Sequence, residues 1–482
     1  MRPRLIGKVG RYTIANGLPA LLNFGGMVAL THLLSPSEYG TYALVVASVA
    51  VVNAIGFQWL RSGARRFLAA GEHTRPLVLP TLGIAYAVIF TLVAGLIAIG
   101  VSMFRSHATI DFLLIGGCLL LAQAWYELNI EIVLAEINPR RYGFAALTRS
   151  VTAVCLSLTL AYAGWGAVGA LTGAIVGFSL PGVALSWIYW RGLGRLVPSK
   201  QLARSLVDYG APLTASYALQ FVMDSADRLL LGWLATTAAV GIYAVAYDLA
   251  QQTLNFLMVA INLAAFPMAV RALENEGVDA ARAELRTQVV LLALLALPGA
   301  IGLSLLAPQI GATLLGQSFS AASAGLVPVI VVGAICCGFK AFYFDLAFQL
   351  AKQTRPLIWI GLVGATLNTV LNLLWIPTRG PAGAALASSV TFVIVMLGSM
   401  GLGRRFFALP LPWRELGKVG LLTLVMGVCV RAASLALSGS LALWVPMVIG
   451  LGVVVLGSIL LNVVEARVWL LARPPNSHPG QQ

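Results

Sequence analysis

Charge is the scarcest commodity in this chain. Of its 482 residues only 10% are Asp, Glu, Lys or Arg, while 59% are hydrophobic and the mean hydropathy is +0.89. Soluble globular domains carry roughly 25% charged and 45–50% apolar residues, so a soluble fold is excluded and a polytopic membrane protein is implied. Histidine is scarce too. His32, His73, His107 and His478 lack HExxH or any paired spacing, which argues against a metal site. The five cysteines, Cys118, Cys155, Cys336, Cys337 and Cys429, all fall in apolar runs without disulfide-framework or zinc-ligand spacing, and are expected as small core residues. The chain has neither a P-loop-type nucleotide motif nor an outer loop long enough for a catalytic domain. Catalysis and ATP hydrolysis are set aside, and no catalytic residue, metal or cofactor is expected.

The charge that is present is mostly basic, with a net value of +14. In a membrane chain such an excess belongs first to cytoplasmic loops, so nucleic acid is not expected as a partner. With about 20 apolar residues per span, fourteen spans begin near Tyr12, Gly40, Leu77, Asp111, Tyr142, Ala167, Tyr209, Gly241, Thr287, Ala322, Pro356, Pro381, Lys418 and Leu441. Alternate loops then hold 25 Lys and Arg residues on one side against only Arg105 and Arg379 on the other. A miscounted span would invert every later loop. The expected fold is therefore an all-α integral membrane protein of fourteen transmembrane helices with both termini cytoplasmic. The N-terminal segment has no Ala-x-Ala-like cleavage site and reads as an uncleaved first span.

An internal repeat of about 200 residues runs through the chain. "EYGTYALVVASV" aligns with "AVGIYAVAYDLA", putting Gly40 on Gly241. "GWGAVGALTGAIVGF" aligns with "TRGPAGAALASSVTF", putting Gly166 on Gly380 and Arg141 on Arg355. Six helices separate the matches, so the halves enter the membrane with the same topology. This predicts two parallel six-helix lobes, residues 1–204 and 205–403, plus an accessory hairpin and tail, 404–482. A cavity between parallel lobes is the natural substrate site.

The order of these features resembles a family. The stretches "LLSPSEYGTYAL", "DRLLLGWLATTAAVGIYAVAYDL" and "KQTRPLIWIGLVGATLNTVLNLLWIPTRGPAGAALASS", in a chain of six, six and two spans, look like the polysaccharide transporters of the MOP superfamily. These include the Wzx-type O-antigen flippases and are more distantly similar to MurJ and the MATE exporters. The resemblance implies a flippase of the bacterial inner membrane that carries an undecaprenyl-diphosphate-linked oligosaccharide to the outer leaflet by alternating access, for O-antigen, lipopolysaccharide or exopolysaccharide synthesis. It also implies coupling to H⁺, Na⁺ or the membrane potential, contact with membrane lipids, and a polysaccharide polymerase and chain-length regulator as partners. The alternative is a MATE-like cation-coupled exporter of small amphiphilic compounds.

Ionisable groups inside spans mark either a transport pathway or a self-neutralising pair. Residues equally far from a hairpin turn share a depth, at about 1.5 Å per residue. Spans four and five are expected to turn near Arg140, placing Glu131 opposite Arg149 as plausible partners. The other reading makes Arg149 a phosphate-attracting cation above a basic inner mouth of Arg11, Arg61, Arg65 and Arg66. Gln123, Glu127 and Glu131 form one polar face, expected to line the cavity. In "DSADR", Arg228 can pair with Asp224, and Asp227 and Asp248 lie at similar depth. Three acids against one base favour a coupling-ion site here. Lys340 either pairs with Asp345, itself a coupling-ion candidate, or waits as a cation for the diphosphate. Asn368 and Asn372, one turn apart, read as helix glue or, for Asn368, as a sugar contact. Arg431 is expected to snorkel. Trp59, Trp187, Trp190, Trp233 and Trp469 are expected in an interfacial belt, and Pro267, Pro298, Pro328 and Pro377 are candidate helix breaks.

Overall fold

The computed structural model describes residues 2–68, 75–103, 107–136, 138–191 and 199–463; the side chains of residues 2–16, 107–109, 211–213, 215–217, 222 and 264 lie outside that description. Among the described residues there are helices and turns but no strand. Hydrocarbon offers backbone groups no hydrogen-bond partner, and helices satisfy those groups within one segment.

The helices run in the order α1 Arg2–Leu33, α2 Pro36–Leu68, α3 Arg75–Met103, α4 His107–Ala135, α5 Pro139–Leu160, α6 Gly166–Tyr189 and α7 Lys200–Leu234. They continue with α8 Thr237–Asn275, α9 Val278–Leu314, α10 Gln317–Phe339, α11 Arg355–Arg379, α12 Pro381–Gly403, α13 Trp413–Ala436 and α14 Leu441–Leu460. Among the described residues, eleven stretches are long and apolar enough to cross a membrane. One of them, Pro139–Tyr189, is α5 and α6 joined through a π-helical turn at Ala161–Trp165. The chain is thus an integral membrane protein by composition and helix length.

Local chemistry sets the helix ends. Ser35 and Glu38 form a capping box at the start of α2: the Glu38 carboxylate accepts from the Ser35 amide at 2.8 Å, and the Ser35 hydroxyl accepts from the Glu38 amide at 3.3 Å. Thr236, Asn138 and Ser199 cap α8, α5 and α7 with side-chain oxygens. Gly166 and Gly380, the repeat-aligned pair, both adopt φ +54° at the starts of α6 and α12. That backbone region suits glycine because it has no Cβ.

By spatial clustering the chain forms two compact units. The first comprises Met1–Ala246, Leu314–Leu326 and Leu357–Thr391. In it α2 packs on α4 and α7, and α5 packs on α1 and α6. Its core centres on Phe57, Leu60, Leu82, Leu128 and Ile132. The second comprises Tyr247–Thr313, Val327–Pro356 and Phe392–Gln482. Here α13 packs on α14, and the core gathers Met258, Leu285, Leu292, Tyr343 and Val419.

Trp190, just past the end of α6, packs half-buried against the first unit's core: its ring lies 5.0 Å from that of Trp125, and its indole N–H donates to Asn129 Oδ1 at 2.9 Å. The expectation that all five cysteines are core residues is corrected. Cys118 and Cys155 are exposed on helix surfaces rather than core residues, whereas Cys336 is buried. Trp187 and Trp233 are exposed.

The other repeat-aligned pair makes the tightest backbone crossing in this unit's turn regions. A Cβ on Gly40 would sit 1.7 Å from the Thr237 carbonyl oxygen, and one on Gly241 2.1 Å from that of Pro36. Nearby, the Ser37 and Thr237 hydroxyls bond at 2.8 Å. Since a carbonyl of a neighbouring helix cannot rotate away, Gly40→Ala should destabilise the protein by at least the 1–3 kcal/mol of typical overpacking. Thermal unfolding in detergent checks this. Gly420→Ala, which meets nothing within 4 Å, should unfold no earlier than wild type, being a helical position where Ala is favoured.

Candidate functional site

The first assembly is a polar seam between α2 and α4. Gln123, Glu127 and Glu131 do share a face, and that face meets Asn53, Gln58, Arg61 and Arg65 of α2. Arg61 bonds Glu127 and Gln58, and Glu127 also accepts from Asn53 at 2.8 Å and Gln123 at 2.9 Å. Arg65 reaches Glu131 through Nε at 2.8 Å and Nη2 at 2.5 Å. This two-bond geometry is the strong form of an Arg–carboxylate contact.

The expected Glu131–Arg149 pair does not form. α4 ends at Ala135 and α5 starts at Pro139, capped by Asn138, so the turn between them comes earlier than the expected Arg140. Glu131 then lies four residues from the end of α4 and Arg149 ten from the start of α5, an offset of about 9 Å. Arg149 sits instead 5.0 Å above the Phe178 ring. It is half-buried and makes no ion pair with an acid among the described residues. A desolvated guanidinium over an aromatic face keeps its charge available to an anion.

Below the seam, Glu136 anchors a second cluster. It accepts from the Tyr189 hydroxyl and Arg75, both at 2.5 Å, and from Arg141 at 3.1 Å. Burial pushes its carboxyl pKa up, but the Tyr189 hydrogen bond and the Arg75 and Arg141 guanidiniums outweigh that and hold it below the usual carboxylate range.

The second assembly surrounds Asp227, which is 1% exposed. Tyr243 of α8 donates to Oδ2 at 2.5 Å and Asn372 of α11 to Oδ1 at 2.7 Å, while the Ser388 hydroxyl of α12 also donates to Oδ2. Asn368 donates to Ser388 at 3.1 Å, and Asn372 bonds Asn368. The amide ladder therefore does glue helices, and it does so around a carboxylate. All of these partners are neutral. Asn372 Oδ1 and Thr391 Oγ1, the latter one turn beyond Ser388, are buried and accept no hydrogen bond.

Tyr243 and Ser388 were not singled out in the sequence, although the depth rule contains them. Asp227 and Tyr243 lie about equally far from the turn between α7 and α8. Asn372 and Ser388 each stand eight residues from Gly380. Asp224 accepts from Gln220 at 3.1 Å, while Arg228 and Asp248 each have interaction partners of their own. The side chain of Arg11 lies outside the described residues.

The third assembly is in the second unit. Lys340 donates to Asp345 Oδ2 at 2.8 Å, and Ser399 donates to Oδ1 at 2.7 Å. Five residues apart on an α-helix, the two charges would point about 140° apart at 100° per residue. A π turn at Lys340–Phe344, closed by the Asp345 amide on the Lys340 carbonyl at 2.9 Å, brings them to one face. Of the two readings for Lys340, the structure realises the ion pair.

Residues 29–324 match the model of a family described as polysaccharide biosynthesis protein, and the chain belongs to that family. A probable low-salt glycan biosynthesis flippase, Agl15 of Haloferax volcanii, is 22% identical over 79% of this chain and 79% of its own length. A probable flippase, AglR, of the same organism is 27% identical over 51% of this chain and 50% of its own. Among solved structures, the lipid II flippase MurJ in an inward closed conformation superposes with a TM-score of 0.78 at 13% identity, covering 94% of this chain and 98% of that one. An inward-facing multidrug resistance MATE transporter of the MOP superfamily gives 0.62 at 13% identity, over 84% and 96%. These two share the fold. Both relatives are named as flippases and both solved structures are of transport proteins, none of them a catalyst, in line with the expectation that this is not an enzyme.

Two predictions concern buried charge. Lys340→Met leaves Asp345 with only a hydroxyl donor and should cost about 3–5 kcal/mol, much of it recovered in the Lys340→Met/Asp345→Leu double variant; thermal unfolding of both variants is the check. The lowered pKa of Glu136 means its stabilising effect is present above the ordinary Glu value of about 4.3 and is lost as pH falls through the lower folded-state value. Unfolding temperatures from pH 7 to pH 3 should show Glu136→Gln less stable at neutrality and converging on wild type in acid. Parallel curves would sink the assignment.

Proposed function

We propose that this protein is a flippase that moves a lipid-linked oligosaccharide across the membrane by alternating access, and that Asp227 binds the cation driving it. Family membership, the flippase names of both relatives and the extent of the MurJ fold match support the first part. On this reading fourteen spans form two parallel lobes and a C-terminal hairpin with cytoplasmic termini, and the substrate is carried on a polyprenyl diphosphate in the bacterial inner membrane. Arg149, a cation without an acid partner among the described residues, attracts the phosphates.

The observation that carries the second part is that the hydrogen-bond partners of Asp227 among the described residues are all neutral. An ionised carboxylate at that depth is expensive unless something positive joins it. A proton does so directly. A sodium ion requires several oxygens, and the Asp227 carboxylate, the unused Asn372 Oδ1 and the Ser388 hydroxyl supply them within one cluster. Lys340–Asp345 is already neutralised and serves the fold.

Deleting the gene in a strain without a redundant flippase should deplete surface polysaccharide and build up lipid-linked precursor on the inner leaflet. Normal polysaccharide without precursor build-up would overturn the flippase reading and favour a MATE-like exporter. In the complemented strain, Asp227→Asn at wild-type abundance should lower transport about tenfold or more and remove its dependence on Na⁺ or pH. An unchanged dependence would make the cluster purely structural.

A further inference from the structure

Unit two contains a groove that neither the proposed transport route nor the ion pairs use. It has a volume of about 520 Å³ and runs between α9 and α13, with Ile301 and Leu305 on one wall and Leu424, Val428 and Leu435 on the other. Gly427 makes its floor: a Cβ there would already stand 3.2 Å from Ile301. Thr423 also lines the groove, but its hydroxyl is committed to the Val419 carbonyl at 2.8 Å. The lining is thus apolar apart from one side chain, the exposed Arg431.

Among the described residues Arg431 has no counter-charge. The described ion pairs of unit two are Lys340–Asp345, Arg282–Asp279 and Lys418–Glu415, and the guanidinium of Arg431 takes part in none. It stands five residues from the end of α13, about 7.5 Å at 1.5 Å per residue, a depth from which arginine snorkels to the headgroup level. From Leu435 to Thr423 the groove runs about 18 Å along the helix, comparable to half of a hydrocarbon core of about 30 Å. The cation lies near the end closer to the interface, with the apolar part leading inward.

From this arrangement we infer that the α9–α13 groove is a binding site for an anionic glycerophospholipid. One acyl chain fills the groove, and the phosphodiester meets Arg431. A free phosphate would leave the apolar length empty, and a zwitterionic lipid would bring its own cation to a site that already has one. The site secures the accessory helix α13 to α9 through a lipid, and it does not depend on the flippase reading.

The test is native mass spectrometry of the full chain in mild detergent, titrated with dioleoyl phosphatidylglycerol or dioleoyl phosphatidylcholine. Wild type should retain phosphatidylglycerol at about tenfold lower concentration, the scale of one charge-assisted contact. Arg431→Gln should abolish that preference and Arg431→Lys preserve it, while Ala432→Phe, which places a ring at the groove, should weaken both lipids. A preference that survives Arg431→Gln overturns the site. Displacement of phosphatidylglycerol by millimolar inorganic phosphate would make it a phosphate site, and stronger retention of an added polyprenyl phosphate would give the groove to the transport substrate; either result refutes the proposal. Lipid retention is read by mass and not by transport, so failure here leaves the flippase reading standing.

Discussion

A charged side chain placed between apolar helices must find its counter-group on a neighbouring helix, because hydrocarbon supplies none. In unit one this requirement fixes how α2 meets α4. Arg61 and Arg65 stand four residues apart on one helix, Glu127 and Glu131 four apart on the other, and both pairs close together. A slip of one residue along either helix would turn both carboxylates away. The seam thus sets register in a contact where apolar side chains alone would tolerate several. Replacing such pairs with hydrophobic residues often costs nothing in stability, so their contribution here is best seen as specificity of helix pairing.

The same constraint separates structural from functional charge. Lys340 and Asp345 satisfy one another, and the helix distorts into a π turn to let them. Asp227 is more deeply buried, and among the described residues it is met by hydroxyls and an amide from three other helices. In the proposed transport cycle, a group whose neutrality comes from what it carries is required, and Asp227 is the residue proposed for that role. The helices that converge on it, α7, α8, α11 and α12, are those whose capped ends and positive-φ glycine fix their relative depth.

Much of this was readable without coordinates. The glycine repeat and the amide ladder at Asn368 and Asn372 both appear where their residue types place them. The glycine alignments proved informative in detail: Gly166 and Gly380 share one unusual backbone angle, and Gly40 and Gly241 approach each other's partner strands of backbone reciprocally. Asp227 was identified from an excess of carboxylates in one short stretch, without knowledge of what surrounds it. The misassigned ion pair was a failure of turn position. Placing the α4–α5 turn a few residues late was enough to pair Glu131 with Arg149 instead of Arg65, since a shift of that size moves one helix past another by more than a full turn of pitch.

The sequence by itself determined the class of protein and its helical content, because these follow from hydropathy and from the need of a membrane segment to satisfy its own backbone. Only the tertiary structure decided which charge meets which. Depth is a one-dimensional coordinate along a helix, whereas an ion pair needs the rotation of both helices and the identity of the neighbour. Those are set by packing across the whole unit, and it is packing that gave Glu131 to Arg65, left Arg149 over a ring and enclosed Asp227 in neutral donors.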